Sequence, residues 1–229
     1  MFKLSEFLHF LKSPDFNQEK RVKTNILATS IKVYLVLLVF VIFANITKTL
    51  ISKHLFTIPE NKVSLIFETL KDHRWQFFIF VAILAPIIEE AIFRLSLVFK
   101  PIYFTISFSL LIAVIINRIA SVIPAIISLL PLFFIFYYLT RHYKTTLQHW
   151  GNRYLGYLVY FSSLSFGLLH MGNYHFEAVY QYLAIPLLIF PQLTMGFLFS
   201  FVRLHYKNGI IICILVHIFT NTLSAIHFW

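Results

Sequence analysis

Charged residues are scarce in this sequence, and cysteine is almost absent. Charge is carried by 12% of the 229 residues, about half the share of a soluble globular domain. The single cysteine, Cys213, excludes an internal disulfide framework. The sequence has no Gly-rich phosphate loop, no Cys-x-x-Cys pair and no His-Glu-x-x-His motif. It therefore lacks the sequence signatures of a P-loop nucleotide site, a paired-cysteine site and the common helical zinc-protease site.

Apolar residues fill most of the chain instead. They account for 59% of the positions, Phe alone occurs 27 times, and the mean hydropathy is +0.79. Such a composition cannot cover a surface that faces water, but it suits a surface that faces lipid. The chain is therefore predicted to be an integral membrane protein.

The net charge is +10, from 19 Lys and Arg against 9 Asp and Glu. In a soluble protein this excess would favour binding to nucleic acid. Here the basic residues lie mostly at the ends of apolar runs, where anionic headgroups and the positive-inside rule account for them. The expected partner of these residues is the lipid bilayer, and no nucleic-acid partner is predicted.

Residues 26–229 are predicted to form a membrane-embedded helical domain. A helix needs about 20 apolar residues to span the hydrocarbon core. The fold class is therefore an all-α, polytopic transmembrane helical bundle of about seven helices, with roughly six to eight allowed. The candidate spans are 28–51, 76–99, 102–117, 120–140, 154–172, 178–202 and 208–228, and the longest polar connection is 52–75. The third and fourth spans form either a tight hairpin or one broken segment.

Residues 1–25 are predicted to be an interfacial amphipathic segment, with a mobile tail as the alternative. The apolar residues at the spacing of one helix face are Leu4, Phe7, Leu8 and Leu11. If the N-terminus is cytoplasmic, the inner side collects more Lys and Arg than the outer side, which favours this orientation. The expected location is a plasma or inner membrane, which the chain crosses several times.

Four ionisable residues interrupt the apolar runs. Among the nine acidic residues, only Glu89 and Glu90 lie deep in a span. His217 lies well inside the last span, and His170 closes the apolar run of the fifth. A charge at the bilayer centre costs at least about 2.5–3.5 kcal/mol per residue on insertion scales. These side chains are therefore predicted to converge between helices.

The two adjacent glutamates must point in different directions, because neighbouring residues of a helix are about 100° apart. Glu90 and Arg94 stand four residues apart, in the favourable order for a structural ion pair. That pairing leaves Glu89 as the lone carboxylate on another face. Pro86 removes a helical hydrogen bond and is expected to kink the helix at this point.

The other elements carry polar residues at matched spacing. His217 and Asn221 stand four residues apart and share a helix face, and the same spacing separates Phe166 from His170. A carboxylate, two imidazoles and an amide can activate water, with the Glu as general base, one His sharing the proton, and the second His with the Asn stabilising an oxyanion. A Glu with two His can equally hold zinc or another divalent metal with an open water position. A proton-coupled transporter is a further alternative, because intramembrane Glu and His also form proton relays.

At these positions the chain resembles the CAAX-protease and bacteriocin-processing family of intramembrane peptidases, also called the Abi family. The family is marked by three motifs, Glu-Glu-x-x-x-Arg, Phe-x-x-x-His, and His-x-x-x-Asn or Asp. This chain has them in that order, as Glu89-Glu90-x-x-x-Arg94, Phe166-x-x-x-His170 and His217-x-x-x-Asn221. The resemblance covers a peptidase core at about residues 76–225.

The resemblance implies a role for each motif residue. Glu89 would activate the water with help from His170, and His217 with Asn221 would stabilise the oxyanion. Glu90 and Arg94 would be supporting residues or would contact the substrate. If the enzyme uses a metal, its ligands would be Glu89, His170 and His217.

The resemblance also implies an activity and a class of substrate. Members of the family are all-helical membrane endopeptidases similar to type II CAAX prenyl proteases, so the expected reaction is hydrolysis of a peptide bond. The expected substrates are peptides or membrane-anchored proteins, prenylated ones included. The expected mechanism is either metal-dependent or glutamate-based without a metal cofactor. The alternative function is that of a non-enzymatic bacteriocin-immunity or scaffold protein.

Overall fold

The computed structural model describes residues 3–15, 21–69 and 73–227. Parts of the predicted segments 1–25, 52–75 and 208–228 lie outside these ranges. Within them nearly every residue is helical, and the sheet structure is one antiparallel pair of two-residue strands. The predicted all-α helical bundle is therefore confirmed.

The α-helices, in chain order, are α1 (Leu4–Lys12), α2 (Ile26–His54), α3 (Lys62–Thr69), α4 (Arg74–Ile79), α5 (Ala85–Phe93), α6 (Pro101–Ile119), α7 (Val122–His142), α8 (Lys144–Leu169), α9 (Ile185–His205) and α10 (Gly209–His227). A π-helical turn, Phe80–Leu84, joins α4 to α5. Short 3₁₀ helices cover His170–Asn173 and Val179–Ala184. The two strands are β1 (Glu60–Asn61) and β2 (Tyr174–His175).

Five helical stretches within the described ranges are long and apolar enough to cross a membrane. They are Ile26–His54, Arg74–Phe93, Val122–His142, Val179–His205 and Gly209–Ile226. Pro101–Asn117 is a shorter apolar helix. α8 is long, but its first part, from Lys144 to Arg153, is polar. Together with α6 and α8, the five long stretches account for the predicted spans.

Several predicted span limits were wrong. The span 76–99 ends at Phe93, and the turn that follows it runs to Lys100, which the ring of Pro101 holds in an extended conformation. The span 154–172 ends at Leu169, and its predicted start coincides with a kink at Tyr154 within the helix Lys144–Leu169. The span 178–202 is a 3₁₀ turn followed by an α-helix that reaches His205. The pair 102–117 and 120–140 forms a hairpin, with α6 packed along α7.

α9 lies at the centre of the bundle. Half of its span, 50%, is buried, whereas only 6% of the α7 span is. α9 packs against α2, α8 and α10, while α7 packs mainly on α6. α7 therefore presents most of its apolar surface to lipid. α9 instead forms the buried centre against which α2, α8 and α10 pack.

Short pairings mark the two ends of the bundle. At one end Val22 bridges to Tyr206, and the Arg21 guanidinium donates to the carbonyls of Arg203 and Tyr206 at the C-terminus of α9. At the other end β1 pairs with β2, with Glu60 opposite His175. The spans run back and forth between these ends. Which end faces the cytoplasm stays a prediction.

α1 lies against the bundle through part of its apolar face. Phe7 and Phe10 are buried and contact the Phe201 ring edge-on. Leu4 and Leu8 remain about half exposed. The interfacial location of this segment stays a prediction.

α8 and α9 cross in close contact at Gly196. A Cβ atom placed on Gly196 would meet the backbone Cα and carbonyl oxygen of Ser163 at 3.0 Å. Small residues allow helix backbones to approach in this way in membrane proteins. The crossing brings the end of α8 against the centre of the bundle.

Gly196→Val is expected to push α8 away from α9 and to lower the thermal unfolding temperature of the purified protein in detergent. Overpacking of this kind costs about 1–3 kcal/mol. Gly172→Ala is the control, because nothing lies within 4 Å of the Cβ position there. If Gly196→Val unfolds at the wild-type temperature, the close crossing is contradicted.

Candidate active site

The helix that carries the two glutamates is distorted just before them. Pro86 stands inside the continuous helical stretch Arg74–Phe93, where its missing N–H removes one backbone hydrogen bond, and the preceding turn is widened to a π-helix. Such π turns are frequent at functional sites. The distortion expected from Pro86 is therefore present, in the form of a π turn.

Three of the ionisable residues converge from separate elements. The Glu89 Oε2 atom lies 3.9 Å from Nε2 of His170 and 3.7 Å from Nε2 of His217. Glu89 lies on α5, His170 lies in the 3₁₀ turn that follows α8, and His217 lies on α10. The Glu89 side chain is 30% exposed, and that of His217 is 2% exposed. The carboxylate thus lies at the border between the bundle interior and its surroundings.

Glu90 points into the interior and holds His217. Its Oε1 atom lies 2.9 Å from Nδ1 of His217, and its Oε2 atom lies 3.6 Å from Nε of Arg94. The side chains of Glu90 and Arg94 are fully buried. Because Arg94 stays charged, Glu90 faces it as a carboxylate and can only accept, so Nδ1 of His217 donates. The predicted ion pair is present, and the bond to His217 is an addition that the motif spacing did not predict.

A backbone carbonyl fixes the orientation of His170. Its Nδ1 atom lies 2.8 Å from the carbonyl oxygen of Phe166, in the last turn of α8. A carbonyl only accepts, so Nδ1 carries a proton, and Nε2 is the ring nitrogen that faces Glu89. In the Phe-x-x-x-His motif, the histidine side chain therefore binds the backbone carbonyl of the phenylalanine one helical turn earlier, a carbonyl at the end of the helix that lacks a helical partner.

The Phe166 ring is the apolar wall of the site. It is completely buried, and its centroid lies 4.8 Å from the His170 ring and 5.8 Å from the His217 ring. The Arg94 guanidinium lies 5.0 Å from the same centroid. One aromatic ring thus contacts both imidazoles and the cation, and it excludes water from the side of the cluster that faces away from Glu89.

Asn221 is held slightly apart from the other residues. It lies one helical turn beyond His217, and its Nδ2 atom donates to the Val81 carbonyl in the π turn at 3.0 Å. This bond ties α10 to the distorted helix next to the glutamates. Sequence reasoning placed Asn221 on the correct face but could not identify this acceptor.

The separations between Glu89 and the two imidazoles are slightly longer than those between the ligands of a tetrahedral zinc ion. At zinc bond lengths of 2.0–2.2 Å, tetrahedral ligand atoms are roughly 3.2–3.6 Å apart, and the separations here are 3.7 and 3.9 Å. Throughout residues 3–15, 21–69 and 73–227, no group of three His, Cys, Asp or Glu has the arrangement of a metal site. A water molecule fits these separations, because it bridges polar atoms that are more than about 3.5 Å apart.

Glu90→Gln is expected to destabilise the protein strongly, because it leaves the buried Arg94 charge without its partner. Breaking a buried pair in this way costs about 3–5 kcal/mol. Glu89→Gln is the matched control, since Glu89 is partly exposed and lies too far from both imidazoles for a direct hydrogen bond. Thermal unfolding in detergent should separate the two variants, and equal unfolding temperatures would contradict a structural role for the pair.

The chain was compared with protein families, with curated proteins and with solved structures. A family model described as "Type II CAAX prenyl endopeptidase Rce1-like" matches residues 71–223, well over half of the chain. Neither the curated proteins nor the solved structures gave a match. The matched region contains all three motifs, Glu89-Glu90-x-x-x-Arg94, Phe166-x-x-x-His170 and His217-x-x-x-Asn221. The chain therefore belongs to the Rce1-like family of type II CAAX prenyl endopeptidases, the resemblance that its motifs indicated.

Proposed function

We propose that this membrane protease hydrolyses a peptide bond of a membrane-associated substrate with a water activated by Glu89. The observation that carries the proposal is the geometry around Oε2 of Glu89, which has an imidazole Nε2 on either side at 3.7 and 3.9 Å. These separations are too long for direct hydrogen bonds and suit a bridging water. The water would sit between a general base and a ring nitrogen that accepts.

The first step is the attack of this water. Glu89 takes one proton, while Nε2 of His170 accepts a hydrogen bond from the other and directs the oxygen lone pair at the scissile carbonyl. The new C–O bond forms as the carbonyl π electrons move onto the carbonyl oxygen. In the second step the C–N bond breaks, and the proton on Glu89 passes to the leaving amine.

His217 is suited to stabilising the oxyanion. Glu90 accepts from its Nδ1 at 2.9 Å and holds the ring in one orientation, as the carboxylate of a catalytic triad holds its histidine. In the state in which Nε2 is also protonated, it donates towards the reaction centre. A primary amide has two N–H donors, so the bond from Asn221 to Val81 leaves one for the oxyanion.

The proposed substrate is a membrane-associated peptide or protein, with prenylated CAAX proteins as the first class to test. The family suggests this class. The structure is compatible with entry from the lipid, because Ile83 and Ile87, on the helix that carries Glu89, are about 40% exposed. We further propose a plasma or inner membrane location with a cytoplasmic N-terminus, from the distribution of Lys and Arg.

Glu89→Gln is expected to lower cleavage by about 10²–10⁴-fold, because the amide cannot take the proton from water. The assay uses an internally quenched peptide that ends in a farnesylated CAAX sequence, with the same peptide unprenylated for comparison. Cleavage in H₂¹⁸O should place the label in the new carboxyl terminus.

The test extends to substrates other than these peptides when protein termini are compared in membranes from cells that express either the wild type or Glu89→Gln. Wild-type activity that survives Glu89→Gln would contradict the role of this carboxylate. A cellular phenotype that survives Glu89→Gln, with no cleavage product in wild-type membranes, would favour a non-enzymatic function.

Chelation is expected to leave the rate within about twofold of the untreated enzyme, because the proposed mechanism uses Glu89 as the general base and no metal ion. The measurement is the initial rate of peptide cleavage before and after dialysis against EDTA or 1,10-phenanthroline, together with the metal content of the purified protein. Loss of activity that is restored by one equivalent of a divalent metal would contradict the metal-free mechanism.

A further inference from the structure

Ser162 is a buried residue on α8 that contacts the ion pair of the site. It lies one helical turn before Phe166 on the same face of α8, and His170 follows four residues after Phe166 in the 3₁₀ turn. Its Oγ lies 2.8 Å from Nη1 of Arg94 and 2.8 Å from the carbonyl oxygen of Phe93. It is the only serine of α8 with a described hydrogen bond to a residue of the catalytic cluster, and it belongs to none of the three motifs.

The direction of these hydrogen bonds follows from the chemistry of the partners. The Phe93 carbonyl only accepts, so the single proton of the Ser162 hydroxyl is donated to it. Arg94 only donates, so its Nη1 points at the lone pair of the same oxygen. The Ser162 hydroxyl thus contacts both the carbonyl of Phe93, the last residue of α5, and the guanidinium of Arg94. Because its proton and a lone pair are both engaged, the orientation of the hydroxyl is fixed.

Few other contacts hold the Arg94 guanidinium. Nη1 has a second, marginal contact with the Phe93 carbonyl at 3.5 Å, and Nε and Nη2 have no hydrogen-bond partner among the described residues. The remaining interactions are the ion pair with Glu90 at 3.6 Å and the rings of Phe166 and Phe93, whose centroids lie 5.0 and 5.8 Å from the guanidinium. The bond from Arg94 to Ser162 is therefore the shortest directional restraint on this cation.

We propose that Ser162 is a positioning residue of the peptidase, and that it acts through Arg94. By fixing the guanidinium it keeps the Arg94 charge 3.6 Å from Oε2 of Glu90, while Oε1 of Glu90 accepts from Nδ1 of His217. The proposal rests on the function proposed above, because the step that it supports is oxyanion stabilisation by His217. Ser162 itself does not touch the substrate.

Ser162→Ala is expected to lower kcat by about tenfold, an effect typical of residues that orient an active-site side chain without contacting the substrate. KM is expected to remain unchanged. The readout is steady-state cleavage of the farnesylated quenched peptide. Ser162→Thr restores the hydroxyl and should recover most of the activity. Ser163→Ala is the matched control: it also removes a buried hydroxyl from α8, but the partner of that hydroxyl is Ser200, at 3.3 Å.

A double-mutant cycle tests whether Ser162 acts through Arg94. In an Arg94→Lys background, Ser162→Ala should lower kcat by less than about twofold, because the interaction between the two residues is already lost. A full tenfold effect in that background would overturn the proposal. So would equal loss of activity in Ser162→Ala and Ser163→Ala, or a Ser162→Ala enzyme with wild-type kcat. If the wild type cleaves neither peptide and yields no product in membranes, the proposed function itself fails.

Discussion

The buried ion pair between Glu90 and Arg94 is the interaction on which the rest of the site depends. Neither side chain has any exposed surface, and a lone charge in the bundle interior would cost several kcal/mol. Each residue therefore needs the other in place. Once Arg94 holds one oxygen of Glu90, the second oxygen is directed at His217, and the most buried imidazole of the cluster has a single orientation.

This constraint separates the roles of two adjacent and identical residues. Glu89 and Glu90 are rotated apart by about 100° on the helix, so only one of them can face the ion pair. The other reaches the border of the bundle, where 30% of its side chain is exposed between two imidazoles. Environment and not residue type thus distinguishes the supporting carboxylate from the one proposed to activate water.

α8 brings the remaining parts of the site together. Its close crossing with α9 at Gly196 places one face of the helix against the end of α5. That face carries a hydroxyl that contacts Arg94 and an aromatic ring that covers the cation, and the imidazole that faces Glu89 follows in the 3₁₀ turn. The helix ends at Leu169, which leaves the Phe166 carbonyl free to hold His170.

The amino-acid sequence by itself determined the membrane class, the helical bundle and the motif residues. Hydropathy reveals apolar spans because lipid cannot satisfy a free backbone, and helical spacing shows which residues share a face. This was enough to pair Glu90 with Arg94 and to expect convergence of Glu89, His170 and His217. Span limits were less certain, because polar residues in α8 and prolines near helix ends act locally and are not visible in a hydropathy average.

Only the tertiary structure decided which partner each polar atom has. The bonds from His217 to Glu90, from Asn221 to Val81 and from Arg94 to Ser162 each join residues at least 68 positions apart. Spacing within one helix carries no information on the rotation and depth of another helix, so these contacts cannot be derived from a periodic pattern. Helix packing sets them, and with them the separations of 3.7 and 3.9 Å between Oε2 of Glu89 and Nε2 of His217 and His170.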